Sequence, residues 1–333
     1  MGYQAEKEKV ESKLKRVKTV VLCVTLAALL FLCVFSAFVP PDTWKYHVGK
    51  PRIAKIGEGE LRIHFIDVGQ GDCQLIEFPD GKVALIDGGD GRESTETTVL
   101  RYLNALKIDT IDYLVVSHDD ADHCGALDKI LEQKKILNAY LPATKPENSN
   151  SEYAQFFARL LEEACTLQYS KSYLDLGNQE SENGYSFVFL YPNLVDADTA
   201  QEDDNENSAV LWLDYQGVSA LFTGDAPFST ESALMRDDRL GLYEFLGVEL
   251  TSTEILKVAH HGSADGTSAE FLEYLRVETA IVSCAKNNLY GHPSDKVTTN
   301  LRNAGVDSYV TAERGTVVVT IRADGSYSVD CEK

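Results

Sequence analysis

The sequence predicts an α/β protein in which β-sheets are covered by helices, preceded by a single membrane-spanning helix. Three observations carry this. Short apolar, β-favouring runs alternate with helix-compatible segments from about residue 60 to the C-terminus, with no internal repeat. No charge occurs from Thr19 to Val39, and about 20 apolar residues are what a helix needs to cross the hydrocarbon core of a bilayer. Five of the seven histidines (His118, His123, His260, His261 and His292) fall where apolar runs end, beside Asp, Gly or Pro. Binding and catalytic residues gather on loops at one edge of a rigid sheet, and only His47 and His64 depart from that pattern.

At 333 residues the chain accommodates one large domain or two small ones with a buried core. Its formal net charge of −21 argues against a surface that grips nucleic acid along its phosphates, which needs clustered Lys and Arg. An enzyme that meets a phosphodiester through metal ions at one point is compatible with that charge. Seven cysteines at 23, 33, 73, 124, 165, 284 and 331 contain no CxxC pair, so neither a disulfide framework nor a zinc ribbon is indicated.

Taken in order, residues 1–18 form a helix-prone tail with six basic and three acidic residues. Residues 19–39 form the apolar segment, closed by Pro40-Pro41-Asp42. A cleaved signal peptide has an apolar region of about 7–15 residues and a small-x-small cleavage site. The run here is longer, and Val34-Phe35-Ser36 is a weak site, so an uncleaved signal-anchor is expected. Its basic flank places the tail in the cytoplasm and everything after Pro40 outside, as a single-pass protein of the cell membrane. Without the tail, 25 basic residues stand against 49 acidic ones, so the exported part is near −24. Residues 40–58 read as a linker and 59–333 as the globular domain.

That domain opens with LRIHFIDV as a strand, GQGD as a tight turn, CQLIEF as a second strand, PDG as a hairpin turn and KVALIDGG as a third strand. A helix is expected over 99–106, a strand over 112–116 and a helix over 125–138. A polar loop covers 144–152 and an amphipathic helix 153–166. Strands follow at 184–191, 209–215 and 217–225, the first two separated by an acidic loop at 196–207. Another strand, 254–259, runs into His260, and a helix over 268–276 leads to a strand at 279–285. A helix at 294–304 and a hairpin turning at Asp324-Gly325 close the chain.

The most informative stretch is Asp112 to Leu127, DYLVVSHDDADHCGAL. It packs two imidazoles and three carboxylates into six residues at the end of an apolar strand. Each unpaired buried charge there costs several kcal/mol. Divalent cations offset such carboxylates and need convergent ligands of this kind. The bland alternative is an acidic surface turn with two incidental histidines.

His118-x-Asp120-x-Asp122-His123 resembles the metal-binding signature of the metallo-β-lactamase superfamily, with Asp120 in place of the usual second histidine. Phe222-Thr223-Gly224-Asp225 resembles its later Gly-Asp motif. Ile66 to Asp72, Ile86 to Gly89, Asn205-x-Asn207-Ser208, His260-His261-Gly262-Ser263 and Tyr290-Gly291-His292-Pro293 narrow the likeness. Together they are similar to the C-terminal hydrolase-like domain of the ComEC competence proteins and their stand-alone relatives, which are associated with DNA uptake. The likeness covers roughly residues 60–325. It implies a four-layer αββα sandwich with the metals at one edge of two sheets. His118 and Asp120 would bind one metal, and Asp122 and His123 the other. Asp225 would bridge them, and His260 or His261 would complete the second site. His260 is expected as that ligand because it directly ends the strand, although successive residues of a strand point opposite ways. The superfamily's third histidine for the first metal has no counterpart. Asn205 and Asn207 stand there, and an amide oxygen suits a hard cation better than zinc.

The expected cofactor is a divalent metal, two ions, with zinc favoured and manganese the alternative. A bound metal lowers the pKa of water toward neutrality, and two ions about 3.5–4 Å apart clamp the attacking and leaving oxygens. Asp122 would orient the water or accept its proton. His261 or His292, whichever is free of metal, would protonate a leaving oxygen or hold a phosphate. Lys286 and Asn288 are candidate contacts for an anionic substrate. Asp87 would orient a ligand from behind. Asp72 and Gln70 are expected to form the Gly-rich turn, with Asp72, Asn205 and Asn207 as further candidates to support a ligand or touch substrate. The expected function is a membrane-anchored extracytoplasmic hydrolase, a phosphodiesterase or nuclease linked to DNA uptake, acting on single-stranded DNA delivered by other proteins. The alternatives are hydrolysis of a small ester, a lactone or a cell-wall phosphodiester, or a catalytically degenerate scaffold domain in an envelope complex.

Overall fold

The computed structural model describes residues 2–38, 44–178, 184–193 and 204–333. The Pro40-Pro41-Asp42 boundary and most of the acidic loop at 196–207 therefore lie outside the described residues. The chain divides into two compact units, 1–50 and 51–333. In the first, helix α1 (Gly2–Phe38) carries basic tail and apolar segment as one uninterrupted helix, so the boundary at residue 18 is chemical and not structural. Residues 6–38 are long and apolar enough to cross a membrane, by length and composition. Thr19 and Thr25 donate their hydroxyls to the carbonyls of Lys15 and Val21, each at 2.9 Å, which satisfies a polar group inside an apolar helix.

The second unit holds two sheets. Strands β1 (Leu61–Phe65), β2 (Gln74–Glu77) and β3 (Val83–Ile86) are followed by helix α2 (Glu93–Leu106) and β4 (Thr110–Val115). Helices α3 (Ala121–Cys124) and α4 (Leu127–Gln133) lead to β5 (Lys135–Leu141), and helix α5 (Ser151–Leu160) to β6 (Thr166–Tyr169). The second sheet begins with β7 (Tyr185–Tyr191), β8 (Val210–Tyr215) and β9 (Val218–Phe222). Three crossovers follow: α6 (Phe228–Arg239) to β10 (Thr253–Lys257), α7 (Ala269–Leu275) to β11 (Thr279–Val282), and α8 (Asp295–Asn303) to β12 (Asp307–Val310). After α9 (Thr311–Arg314), strands β13 (Val317–Ile321) and β14 (Tyr327–Cys331) return to the first sheet.

The first sheet has the order β14-β13-β1-β2-β3-β4-β5-β6, and the second β12-β11-β10-β9-β8-β7. Each combines an antiparallel part with a parallel part: β3 through β6 in one, β9 through β12 in the other. Two antiparallel steps leave β1 running in the same direction as β3, so its carboxyl end lies at the same edge.

Strand alternation sorts the side chains into layers. Phe187, Phe189, Leu211, Phe222 and Ile255 meet Ile63, Phe65, Ile76, Val115 and Val319 between the sheets. Val188, Leu190, Trp212 and Leu256 point the other way and pack on Leu234, Phe271, Leu272, Val297 and Leu301 of α6, α7 and α8. Helices α2 and α4 bury Val99, Leu100, Leu103, Leu127 and Ile130. The result is the four-layer αββα sandwich that the sequence led us to expect.

The helix expected over 99–106 begins six residues earlier, at Glu93, and two other expected helices end early. The helix expected over 125–138 stops at Gln133, and Lys135–Leu141 is a buried parallel strand. The helix expected over 153–166 stops at Leu160, before edge strand β6. A short apolar run such as ILNAYL has no period that separates a buried strand from a helix. Helices α3, α6 and α9 and strand β12 are further elements that no sequence signal had placed.

Candidate metal centre

The carboxyl ends of β1, β3, β4, β9, β10 and β11 open onto one edge, where loops rather than regular strands carry the charged motifs. In open α/β sheets this is where ligands bind. Beyond β4 the chain turns at Ser117. The Ser117 backbone N–H and hydroxyl donate to the two carboxylate oxygens of Asp87 at 2.8 and 2.7 Å. Asp87 is fully buried and also lies 2.9 Å from His123 Nδ1. An ionised carboxylate there requires Nδ1 to carry the ring proton, which leaves His123 Nε2 to face the centre. Ala209 N–H donates to the Ser117 carbonyl at 2.8 Å and so ties the second sheet to this turn.

Asp119, the acidic residue of the motif that belongs to no signature position, points away. Its carboxylate accepts from Thr144 Oγ1 at 3.0 Å and from the Ser149 hydroxyl, and its carbonyl from the Asn150 side chain. It pins the 144–150 loop beside the site.

The Gly-rich turn after β1 wraps the same motif. Gly71 has φ +130°, and a Cβ there would lie 2.3 Å from the Asp122 carbonyl oxygen, so no side chain fits. The close approach lets Asp72 N–H donate to that carbonyl at 3.2 Å. It also buries the Asp72 carboxylate completely. Gly224 has φ +50°, and a Cβ there would press on Ser117 and Ser208 at 3.1 and 3.2 Å. Asp225 follows, its N–H held by Ser208 Oγ at 3.2 Å. Asn207 is buried and Asn205 half-buried in the turn before β8.

Beyond β10 the histidine pair does not continue a strand. Its last residue is Lys257, and His260 and His261 both take left-handed conformations, φ 48° and 52°. Such conformations cost non-glycine residues of order 1–3 kcal/mol each and cluster at functional sites. The expectation that His260 directly ends the strand is therefore corrected. His261 turns inward, with Nδ1 2.9 Å from the Ser283 carbonyl and Nε2 3.3 Å from Asp122 and 3.4 Å from Asp225. His260 lies further out, with Nε2 3.6 Å from Asp225 and Nδ1 3.2 Å from Asp265. His292 stands at the rim, its ring centre 5.7 Å from that of His260 and 6.4 Å from that of His261.

Donor atoms of Asp72, His123, Asp225 and His261 all lie within 4.8 Å of one another, and all four residues are buried. Nε2 of His118, His123 and His261, Oδ1 of Asp72 and Oδ1 of Asp225 are buried without a well-formed hydrogen bond. Orphaned buried donors of this kind need a partner. Imidazole and carboxylate together match the ligand preferences of a divalent transition metal. These residues fit such an ion. Of the expected ligands, His118 and Asp120 stand slightly apart, with His118 Nε2 3.5 Å from an Asp120 carboxylate that is nearly half exposed.

The electrostatics agree. Burial alone would lower the His123 and His261 pKa values. Asp225 and Asp87 around His123, and Asp225 with Asp122 and Asp72 around His261, reverse the sign and raise both. Burial would raise the two acidic partners, but His261 and His123 hold Asp225 well below the carboxylate range and lower Asp122 likewise. Protons and a cation thus compete for the same atoms.

Asp72, expected in the turn and as a candidate to support a ligand or touch substrate, joins the cluster itself. One participant escaped the sequence reading. Lys257 is fully buried and ion-pairs with Asp72. The available signal was a lysine inside the apolar run EILKVA, where burial without a partner would be costly.

The sequence profile described as the Metallo-beta-lactamase superfamily matches residues 66–286. The ComE operon protein 3 of Bacillus subtilis (strain 168) is 29% identical over 275 residues, which cover 78% of this chain and 33% of that protein. Recombination protein 2 of Haemophilus influenzae is 29% identical over 266 residues, covering 79% and 29%. Competence protein ComA of Neisseria gonorrhoeae is 28% identical over 251 residues, covering 75% and 31%. These are competence proteins of the ComEC type, and the chain spans about a third of their length. With its two-sheet sandwich and its edge of converging histidines and carboxylates, the chain belongs to the metallo-β-lactamase superfamily.

Proposed function

We propose that this chain is a membrane-anchored, metal-dependent hydrolase that cuts phosphodiester bonds outside the cytoplasm, on single-stranded DNA handed to it during DNA uptake. The observation that carries the reading is the convergence of buried donors of His123, His261 and Asp225 on one another, with Asp122 beside them. These four residues would hold an ion, with His261 and not His260 as the histidine from the second sheet. His118 and Asp120, with Asn207 nearby, would form the poorer set for a second ion. Zinc suits the imidazole-rich inner set, and manganese suits the carboxylates and amide. A divalent ion bound there supplies a nucleophile at neutral pH and a clamp for phosphoryl oxygens.

The chain's own residues do the rest. Asp122 is the inner carboxylate most open to solvent, with its side chain one-third exposed against almost nothing for Asp72, Asp87 and Asp225. It orients the attacking water and takes its proton. His260, whose pKa is raised because Asp265 and Asp225 outweigh its burial, is placed to protonate the leaving oxygen. His292 on the rim holds the phosphate. The acidity of the chain suits a strand delivered by other proteins better than a gripped duplex.

The test is metal analysis of the full chain in detergent, followed by turnover of an aryl phosphodiester with zinc or manganese. Bound metal and turnover are expected. A chain that binds no metal and turns nothing over would be a scaffold domain, and turnover confined to carboxylic esters or lactones would replace the substrate class. Asp122→Asn is expected to keep the fold while turnover falls by roughly 100-fold, the scale of a lost general base. Unchanged turnover would remove Asp122 from that role.

A further inference from the structure

Lys257 is the residue of the centre that the hydrolytic reading leaves without work. It is the last residue of β10, and its side chain is wholly inaccessible. Three oxygens surround its ammonium. Asp72 Oδ2 is in direct ion-pair contact, the Gly224 carbonyl lies at 3.0 Å and Asp225 Oδ1 at 3.8 Å. An all-oxygen set with two carboxylates and a carbonyl around one point is what a hard divalent cation selects. A lysine ammonium is a compact point charge with three donors and can satisfy the same set.

We propose that the Lys257 ammonium is a resident cation of the centre, filling an all-oxygen cation site made by Asp72, the Gly224 carbonyl and Asp225. Asp72 lies close enough to His123 and His261 to serve as a ligand, and Lys257 withholds it from that duty. Asp225 is braced on its Oδ1 side, while its Oδ2 side faces His260 and His261. The edge of the sandwich therefore keeps its arrangement before any ion arrives. Shortening Lys257 opens a site that a hard ion fills in its place. The inference rests on the proposed function only in taking Asp225 as a metal ligand.

The experiment uses the full chain in detergent as wild type, K257A and K257A/D72N, with manganese as the probe and methylammonium as a mimic of the lost group. Manganese per chain is read by mass spectrometry after dialysis, and thermal midpoints with and without each cation. K257A is expected to hold one more manganese per chain than wild type. Its midpoint should fall by several degrees in chelator and recover with manganese or methylammonium. K257A/D72N should gain neither the extra ion nor the cation response. An unchanged manganese count in K257A, with no response to either cation, overturns the proposal. If K257A does not fold, K257M is compared with K257M/D72N. Higher stability of the neutral pair supports the proposal, and equal or lower stability overturns it. Wild type without bound metal would defeat the proposed function and still leave the comparison of variants readable.

Discussion

On the inner side of the centre, the proposed donors arrive from three separate loops of both sheets, and each ring has one nitrogen tied down. His123 Nδ1 is held at Asp87 and His261 Nδ1 at the Ser283 carbonyl, so both Nε2 atoms are aimed by backbone-anchored partners. Beside that set, His118 and Asp120 come from the same turn, with the His118 ring fully buried. His118 leans on the Ser117 hydroxyl at 3.0 Å, and Asp120 is nearly half exposed. Preorganised ligands lose little freedom on binding an ion, whereas an exposed carboxylate must be ordered first. The contrast teaches that the two halves of one short motif, HDDADH, are built for different affinities. On the proposed reading, the set around His123 and His261 would take a first ion, and His118 with Asp120 would add a weaker second.

Four substitutions probe that contrast. Asp225→Asn removes the carboxylate that faces both inner histidines, and metal affinity should drop by more than about 100-fold, beyond the range of a lost supporting contact. Retained affinity would mean that the inner side is not where the ion sits. Asp87→Ala leaves every proposed ligand in place but frees Ser117 and His123, so affinity should fall by about 10–100-fold with a lower thermal midpoint. A fall in midpoint with unchanged affinity would make Asp87 a fold residue alone. His118→Ala or Asp120→Asn should cost less than about tenfold, as one member of a sparse set. Either variant matching Asp225→Asn in a competition assay with a chromophoric chelator would invert the comparison.

Much of this was legible in the amino-acid order. Histidines lodged at the ends of apolar runs announced a loop-borne site, and the spacing of His118, Asp120, Asp122 and His123 named its chemistry. The run GYSFVFLY reads as a strand from its β-branched and aromatic content, and β7 occupies Tyr185–Tyr191. Where both faces of a strand are buried, the contrast between them vanishes, and ILNAYL at β5 gave no sign of being a strand.

The sequence by itself determined the apolar N-terminal helix, the sandwich class and the composition of the donor set, since these depend on local pattern and residue chemistry. Tertiary structure alone decided three things. The inward turn of His261, with His260 further out, follows from two consecutive left-handed residues that no strand geometry anticipates. Asp72 enters the cluster because Gly71 lets its loop close on the Asp122 carbonyl. Lys257 finds Asp72 across 185 positions of sequence, and a buried charge reveals its partner only when the chain has folded.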